Sequence, residues 1–562
     1  MANDYDIGKA FKAIEDELIA SMIRNLDRHK AEETKEGYKW SMWQAEQLKA
    51  LEKYKRDNHE KYGKQFQDIN SQIGELIRTA RSEGGMSQEA AILKAIKQGF
   101  PAKKISAGAT AEFFRLNDRK LGALIKATTN DMQKAETAVL RMVNDQYRKV
   151  IFNSQVYANS GAGTYEKAVD MATKDFLSAG LNCVEYKNGA RHTLADYADM
   201  AIQTASKRAY LQGEGEKRHE WGIHTVIMNK RGNPCPKCLP FVGKVMIDDV
   251  WSGGSKKDGS YQLMSTAIAA GLYHPRCRDS HTTYFPGIST PPDDKYTRQE
   301  LVDVEKQAKQ DSQEQYAERQ ADKFGRLAKY SLDQDNQRSY SYKENKFNDQ
   351  KIMLQAKKFT DREDADKHYR HGTEELWDKL TEGEKKALYE YTGSSYIKIN
   401  KALRSGNETS EGIQKYIENM TNAIDKSRLD EPVWVRRGVS ANGVKGLFKV
   451  NELDKDTIKS FVGKSVTEKG FMSTGVSKES GFSGINLEIC LPQNTKAVYA
   501  EPFSAYGGTN SDGNWNGKET AKYIGEEAEL IVQRGSVFEV KDIKVDDNGK
   551  ISSIVLLLIQ QI

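Results

Sequence analysis

The 562-residue sequence predicts a multidomain protein: a mainly α-helical N-terminal half containing a small irregular α/β region, followed by an α+β domain. Its length exceeds what one hydrophobic core supports, because domains mostly hold about 100–200 residues. Of 11 prolines, only Pro101 lies before residue 234, whereas seven lie between Pro234 and Pro292. Since proline interrupts helices, the first part can be helical and the proline-rich part cannot. Strand-like patterns dominate only after about residue 430.

Charge is high but balanced, with 85 basic and 80 acidic residues and a net charge of +5. Such a balance predicts neither a general nucleic-acid surface nor a membrane surface. No window reaches the roughly 18 apolar residues of a membrane span, and the N-terminus lacks the apolar segment of a signal peptide. We therefore expect a soluble chain made in a cytoplasm, with no membrane partner and no specific nucleic-acid partner.

The first 233 residues carry apolar positions at helical spacing. Trp40, Trp43, Leu48 and Leu51 form one stripe, which predicts an amphipathic helix packed on other helices. His219 and His224 are five residues apart, so a helix would not bring them to one face, and a catalytic metal pair is not favoured there.

Two pairs of metal-competent side chains mark the irregular region, residues 234–281. Cys235-Pro-Lys-Cys238 precedes His274-Pro-Arg-Cys277, and such pairs can hold tetrahedral Zn²⁺. We predict a closed, structural zinc-knuckle-like site with Cys235, Cys238, His274 and Cys277 as ligands. Buried thiols are one alternative, a disulfide is another that a reducing compartment disfavours, and His281 is a possible replacement ligand.

The same region carries a family resemblance. The order of Trp221-Gly-Ile-His224, then NPCPKCLPFVGKV, then YHPRCRDSHTTYFPG resembles the C-terminal part of tailed-phage minor capsid or head-morphogenesis proteins. The resemblance implies that residues 1–290 form a structural domain of the phage head, with portal and capsid proteins as partners. It implies a location in the virion and in the bacterial host cytoplasm. Residues 291–345 are polar and are predicted to form a helical linker.

Residues 346–562 read as helix-rich to about Lys426 and strand-rich thereafter. The hairpin signal Asp547-Asn548-Gly549 lies between two apolar runs. Predicted strands are Val433–Val439, Gly470–Ser473, Ile485–Cys490, Ala497–Ala500, Glu529–Val532, Ser536–Val540 and Ile551–Ile559. An α+β domain of antiparallel strands follows from this order.

The chemistry available to this last domain is restricted. Beyond His371 it has no histidine, and its one cysteine is Cys490, which excludes Ser-His-Asp and Cys-His catalysis. Catalysis must use carboxylates, arginine and hydroxyls. Three patterns supply them in order: Val433-Trp-Val-Arg-Arg-Gly438, Gly470-Phe-Met-Ser-Thr-Gly475 and Gly525-Glu-Glu-Ala-Glu-Leu530. Strand alternation predicts that Val433, Val435 and Arg437 share one face and that Glu527 and Glu529 share another.

Together these patterns resemble the Arg, Ser-Thr-Ser and Glu-x-Glu signature of mono-ADP-ribosyltransferase toxins, and the segment from Tyr391 to Arg404 resembles that family as well. The resemblance implies an ADP-ribosyltransferase-like domain with NAD⁺ as substrate. It assigns the NAD⁺ phosphates or ribose to Arg437, helped by Arg436. It has Ser473 orient Glu529. The other implied NAD⁺-binding residues are Tyr391, Tyr396, Asn400 and Thr474.

In that family the second glutamate, here Glu529, stabilises the oxocarbenium-like ribose. The first, here Glu527, goes with arginine acceptors. We therefore expect an arginine side chain of a host protein as the acceptor, contacted by Tyr506 or Trp515 of the preceding loop. One departure is Gly475, which stands where the family has a second serine. Two alternatives stay open: an inactive transferase-like binding module, and an NAD⁺ glycohydrolase in which water is the acceptor.

Overall fold

The computed structural model describes residues 7–35, 37–186, 188–230, 235, 237–290, 296–406, 410–478, 483–504, 528–546 and 550–562. The chain divides into two compact units, Met1–Asn345 and Lys346–Ile562.

The first unit is mainly helical, as predicted. Its helices are α1 (Ile7–Arg28), α2 (Trp40–Lys97), α3 (Ala107–Tyr157), α4 (Tyr165–Ala179), α5 (Leu194–Glu220), α6 (Met264–Ala269), α7 (Arg298–Tyr330) and α8 (Gln334–Gln355), the last of which extends into the second unit. The predicted apolar stripe is confirmed, because Trp40, Trp43 and Leu51 are buried and Leu48 packs against the same core.

Helices α2 and α5 cross at glycines. A Cβ built on Gly213 would lie 1.9 Å from the carbonyl oxygen of Arg81, and one on Gly84 would lie 2.2 Å from that of Tyr210. Because no side chain fits between the two backbones, only glycine permits so close a crossing.

Short strands complete the first unit. They are β1 (Glu33–Thr34), β2 (Gly37–Tyr38), β3 (Val184–Glu185), β4 (Arg191–His192), β5 (Thr225–Met228), β6 (Val245–Ile247), β7 (Gln262–Leu263) and β8 (His281–Thr283). The last four form one sheet in the order β7-β6-β5-β8, and this sheet with α6 is the predicted small α/β region. His219 and His224 both bond Ser252, through the backbone oxygen and the hydroxyl respectively.

Much of the polar segment 291–345 is helical and docks on α4. The carboxylate of Asp170 accepts hydrogen bonds from the Ser331 hydroxyl, from the backbone N–H groups of Leu332 and Asp333, and from the Asn336 amide. One buried carboxylate thus holds the turn between α7 and α8.

In its described residues, the second unit combines six further helices with an eight-stranded sheet. The helices are α9 (Arg362–Trp377), α10 (Glu382–Glu390), α11 (Tyr396–Ser405), α12 (Glu411–Asp425), α13 (Ala441–Phe448) and α14 (Lys455–Lys459). The strands are β9 (Val433–Val439), β10 (Ser465–Glu468), β11 (Met472–Gly475), β12 (Ile485–Leu491), β13 (Ala497–Tyr499), β14 (Glu529–Val532), β15 (Ser536–Val545) and β16 (Ile551–Gln560).

The sheet order is β10-β15-β16-β12-β9-β11-β14-β13, and every pair is antiparallel except β12 with β16. The strand predictions for Val433–Val439 and Glu529–Val532 match the structure residue for residue. Strand β10 had no prediction. Its four residues, Ser465–Glu468, include a single apolar side chain, Val466, so no apolar run marks the strand.

One junction in this sheet is incomplete. Strand β9 pairs with β12 at seven positions but with β11 at one, where Arg436 lies opposite Gly475. Beyond that pair the two strands separate at Arg437 and Ser473. The opening, called here the β9–β11 cleft, is where the predicted site residues gather.

Candidate active site

Ser473 and Glu529 meet on neighbouring strands at the β9–β11 cleft. Strand β11 pairs with β14 so that Gly475 lies opposite Glu529. The Ser473 hydroxyl donates a short hydrogen bond to Oε1 of Glu529, whose side chain is almost buried. A carboxylate held by a fixed hydroxyl cannot rotate freely, so both of its oxygens have a defined direction.

The backbone at Glu529 leaves the extended conformation just before the strand. Ala528 has φ of +43°, an uncommon value for a residue with a side chain. Strand β14 therefore begins at Glu529. The regular alternation of side chains that the sequence predicts for positions 527 and 529 is interrupted at Ala528. Strain of this kind is often found at functional sites. Glu527 itself lies outside the described residues, as do Tyr506 and Trp515.

Arg437 lies in the β9–β11 cleft and Arg436 does not. The Arg437 guanidinium donates from Nη1 to the backbone oxygen of Ser473, at 3.3 Å, where a complete strand ladder would place a backbone N–H. Arg436 instead donates to the backbone oxygen of Lys478 and lines a different cavity with Trp434 and Glu488. Because the two arginines are neighbours on a strand, their side chains diverge. The structure therefore gives no support to the expectation that Arg436 helps Arg437.

Tyr391 and Asn400 support the start of β11 at the cleft. The Tyr391 side chain is buried, its hydroxyl donates to the backbone oxygen of Phe471, and the Asn400 amide donates to that hydroxyl. Asn400 Oδ1 accepts from the backbone N–H of Phe471 at 2.9 Å. Burial raises the pKa of Tyr391 above its ordinary value. Both side chains use polar atoms to hold the start of β11, and their assignment as NAD⁺-binding residues stays a prediction.

Gly470 is required by the same contact. A Cβ at this position would lie 2.7 Å from Oδ1 of Asn400, closer than real Cβ atoms approach other atoms. The glycine of the Gly470–Gly475 pattern therefore serves packing between α11 and β11, a role that the sequence pattern alone does not indicate.

Thr474 is likewise unavailable to a ligand. It is buried, and its hydroxyl donates to the backbone oxygen of Leu530 at 2.7 Å. Successive side chains of a strand point to opposite faces, so Thr474 faces away from the face that Ser473 presents. This geometry does not support the expectation that the Thr474 side chain binds the dinucleotide.

The accessible wall of the cleft combines predicted site residues with two that the sequence did not indicate, Arg404 and Glu468. Tyr396 is 43% exposed and lines a cavity of about 560 Å³ with Asn400, Arg404 and Arg437. A second cavity, of about 790 Å³, shares Arg404 and Arg437. Two hydrogen bonds, of 2.9 and 3.0 Å, fix the Arg404 guanidinium on the Glu468 carboxylate. Arg404 stood within the recognised upstream segment, whereas Glu468 lies on the unpredicted β10.

A second candidate site, for a metal, lies in the first unit. Sγ of Cys235 is 3.1 Å from Nε2 of His274, and Sγ of Cys238 is 3.5 Å from Sγ of Cys277. Cys238 belongs to two overlapping groups of potential ligands, one with Cys235 and His274 and one with Cys277 and Asp279. All five cysteines are described, and none forms a disulfide.

His281 does not belong to this cluster. It is buried on β8, with Nδ1 2.6 Å from the Tyr273 hydroxyl and Nε2 3.0 Å from Nη2 of Arg218. The Arg218 guanidinium also pairs with the fully buried carboxylate of Asp248. Both ring nitrogens are therefore engaged, and the expectation that His281 replaces a metal ligand is wrong.

Comparison with known families follows the division into two units. Residues 5–358 match the family described as phage minor capsid protein 2. The chain belongs to that family. Residues 365–559 of this minor capsid family member match the family described as ADP-ribosyltransferase exoenzyme, which confirms both predicted resemblances. Membership of the minor capsid family indicates a component of the phage virion. The ADP-ribosyltransferase family uses NAD⁺ as substrate.

Solved structures similar to this minor capsid protein are ADP-ribosylating toxins. The C3 exoenzyme of Clostridium limosum is 24% identical, over 36% of this chain and 98% of its own, with a TM-score of 0.29. Plx2a, a toxin from Paenibacillus larvae, is 23% identical over 36% and 98%, with a TM-score of 0.29. C3stau2 from S. aureus, solved with NAD, is 25% identical over 37% and 100%, with the same TM-score of 0.29. No curated protein matches the chain.

Across the described residues, no helix has both the length and the apolar character needed to cross a membrane.

Proposed function

We propose that this phage minor capsid protein carries an active NAD⁺-dependent mono-ADP-ribosyltransferase, and that the acceptor is an arginine side chain of a host protein. The observation that carries the proposal is the convergence of Ser473, Glu529 and Arg437 at the opening between β9 and β11. These three residues come from three strands and include a carboxylate, a hydroxyl and a guanidinium. This is the set that glycosyl transfer from an anionic dinucleotide requires.

In the proposed reaction the guanidinium of Arg437 binds the NAD⁺ phosphates, which it can contact through two parallel hydrogen bonds. The bond between ribose C1′ and the nicotinamide nitrogen breaks, and its electron pair leaves with nicotinamide. Positive charge then develops on the ribose. The Glu529 carboxylate, held by Ser473, stabilises that charge.

Transfer to arginine completes the reaction. A guanidinium nitrogen of the acceptor forms a bond to C1′ and gives up a proton. We assign the acceptance of this proton to Glu527, because it precedes Glu529 by two residues in the family's Glu-x-Glu pattern. The arginine specificity rests on the presence of glutamate at this position.

Accessible groups of the cleft complete the proposed NAD⁺ site. Tyr396 offers an exposed ring on which a base or nicotinamide can stack. Arg404 offers a second guanidinium beside Arg437, held by its ion pair with Glu468. Tyr391 and Thr474 lie behind this surface, whereas Asn400 lines the cavity and also bonds Tyr391 and Phe471.

The direct test is incubation of the purified full-length protein with labelled NAD⁺ and host lysate. We expect labelled protein bands that disappear with Glu529→Ala and with agents that cleave ADP-ribosyl-arginine. Thr457→Ala, a change on α14 at a residue that lines neither cavity of the cleft, is a control that should label like the wild type.

The two alternatives give different results in the same assay. Release of free ADP-ribose and nicotinamide without labelled protein would indicate an NAD⁺ glycohydrolase. NAD⁺ binding with no nicotinamide release would indicate a transferase-like binding module and would overturn the enzymatic proposal.

A structural zinc ion in the first unit is a second proposal, favoured by a separate observation. Ligand atoms around a tetrahedral zinc lie about 3.5–3.8 Å apart. The separations of 3.1 Å for the Cys235–His274 pair and 3.5 Å for the Cys238–Cys277 pair are close to that range. Cys235, Cys238, His274 and Cys277 would hold the ion with no position left for water, so its role would be to join the chain at residues 235–238 to that at 274–277.

Elemental analysis of the purified full-length protein tests this proposal. We expect one zinc per chain in the wild type and its loss in Cys235→Ser. Cys183→Ser is the matched control, because Cys183 lies in the helical core and contacts the backbone oxygen of Ala135 instead. Zinc-free protein from zinc-supplemented cells would contradict the proposal.

A further inference from the structure

Glu501 stands directly behind Glu529 and was part of no sequence pattern. It lies just after β13, at the start of a short 3-10 turn, Glu501–Phe503, and is only 2% exposed. Its Oε1 accepts a hydrogen bond from the backbone N–H of Glu529 at 2.9 Å. Burial of a carboxylate costs desolvation free energy, so a buried Glu501 beside Glu529 is expected to have a structural role.

Hydrogen bonds hold three backbone groups around Glu529. The Ala528 oxygen accepts from the backbone N–H of Val476, and the Glu529 oxygen accepts from that of Ala500. The remaining group, the N–H of Glu529, has a side chain as its partner, namely Glu501. Among these three contacts Glu501 alone can be removed by substitution without changing the backbone.

This contact acts where the chain is strained. The Glu529 N–H follows directly on Ala528, whose φ of +43° must be maintained by its surroundings. If the N–H loses its acceptor, the peptide between residues 528 and 529 can rotate. Rotation there would turn the Glu529 side chain away from the Ser473 hydroxyl.

We infer that Glu501 is a positioning residue, whose carboxylate fixes the backbone of Glu529 so that the Glu529 carboxylate meets both Ser473 and the ribose of bound NAD⁺. The inference rests on the proposed transferase function and adds to it a residue that touches neither NAD⁺ nor acceptor. The required property is a hydrogen-bond acceptor at this place. Glutamine supplies one and alanine does not.

Steady-state nicotinamide release by the full-length protein tests the inference with three variants. Glu501→Ala should lower kcat by about 10- to 100-fold while the KM for NAD⁺ changes less than about threefold, because misplacement of a catalytic group affects the transition state rather than ground-state binding. Glu501→Gln should recover kcat to within about threefold of the wild type.

Gln533→Ala is the matched control for lost stability. Gln533 is fully buried just beyond the other end of β14, and its amide donates to the backbone oxygen of Thr421 and to Asp425. This variant should lose thermal stability comparably to Glu501→Ala but keep kcat.

Each outcome has one meaning. If Glu501→Ala keeps the wild-type kcat, if Glu501→Gln is as impaired as Glu501→Ala, or if Gln533→Ala loses as much kcat, the inference is overturned while the transferase proposal stands. If the wild type itself releases no nicotinamide, the proposed function fails, and the inference fails with it.

Discussion

At the scale of single residues, the structure separates side chains that can contact a ligand from those that hold the contacts in place. Tyr391 and Tyr396 lie five positions apart in one recognised segment, yet the first is buried and the second is 43% exposed. Arg436 and Arg437 are adjacent and line different cavities. Residue type therefore indicated the kind of chemistry, whereas burial and side-chain direction decided which of the two tyrosines and which of the two arginines can contact a ligand in the cleft.

The two tyrosines give a prediction that distinguishes support from ligand contact. Tyr391→Phe removes a hydroxyl that bonds both Phe471 and Asn400, and should lower the free energy of unfolding by about 1–2 kcal/mol. Tyr396→Ala should raise the KM for NAD⁺ about tenfold through lost stacking, with little change in stability. Thermal melts and nicotinamide-release kinetics on both variants provide the measurement. The reverse pattern would contradict our assignment.

Glu15 gives a prediction about pH. Burial raises the pKa of this α1 carboxyl from 4.5 to about 8, and its Oε1 accepts from the backbone N–H of Leu194 at the start of α5. A carboxyl whose pKa is higher in the folded state binds its proton more tightly there. Its contribution to stability therefore falls as pH rises from about 4.5 to about 8.

Glu15→Gln keeps an acceptor for Leu194 without a titrating group. We expect the variant and the wild type to melt at similar temperatures at pH 4.5, and the variant to be the more stable at pH 8.5. Differential scanning calorimetry across this range measures the effect. A stability difference that does not depend on pH would show that the Glu15 charge is irrelevant.

At the scale of elements, packing between α2 and α5 and the incomplete pairing of β9 with β11 are the two decisive arrangements. The first allows two backbones to touch at glycines, and the second leaves an opening that Arg437 enters. Neither is visible in the periodicity of a single segment, because each depends on which element lies beside it.

Gly213→Ala tests the helix crossing. Its methyl group would meet the Arg81 carbonyl oxygen at 1.9 Å, so the helices must move apart, and we expect the first unit to lose about 3 kcal/mol of stability. Gly122→Ala is the matched control, because a Cβ there meets no atom within 4 Å in the middle of α3. The control should be neutral or stabilising by up to about 1 kcal/mol. Chemical denaturation of both variants would reveal the difference, and equal effects would refute the packing argument.

At the scale of the whole molecule, a phage minor capsid domain and an ADP-ribosyltransferase exoenzyme domain share one chain and divide into separate compact units. The proposed metal site belongs to the first unit and the proposed catalytic site to the second. Since no ligand of the metal site takes part in the proposed chemistry, zinc is expected to affect folding and not turnover.

A chelator experiment tests that separation. Removal of zinc from the full-length protein should lower the melting temperature of the first unit and leave nicotinamide release unchanged at temperatures where the second unit stays folded. The control is Cys235→Ser, which should show the same activity with and without chelator. Loss of nicotinamide release together with zinc would show that the two sites depend on each other.

The sequence alone determined the helical first half, most strands of the last domain and the residue types of both sites. These features depend on local periodicity, proline placement and close spacing, all of which are written along the chain. It also placed Ser473 and Glu529 on strands, although not beside each other.

Only the tertiary structure decided which predicted residues are accessible and which are spent on packing. Asn400 bonds Phe471 across 71 positions of sequence, and Glu501 bonds Glu529 across 28. Contacts between such distant residues arise from strand order and helix docking, which no local pattern encodes. For that physical reason, the different surroundings of Arg436 and Arg437 and the contact of Glu501 with Glu529 are properties of the folded sheet and not of any local sequence pattern.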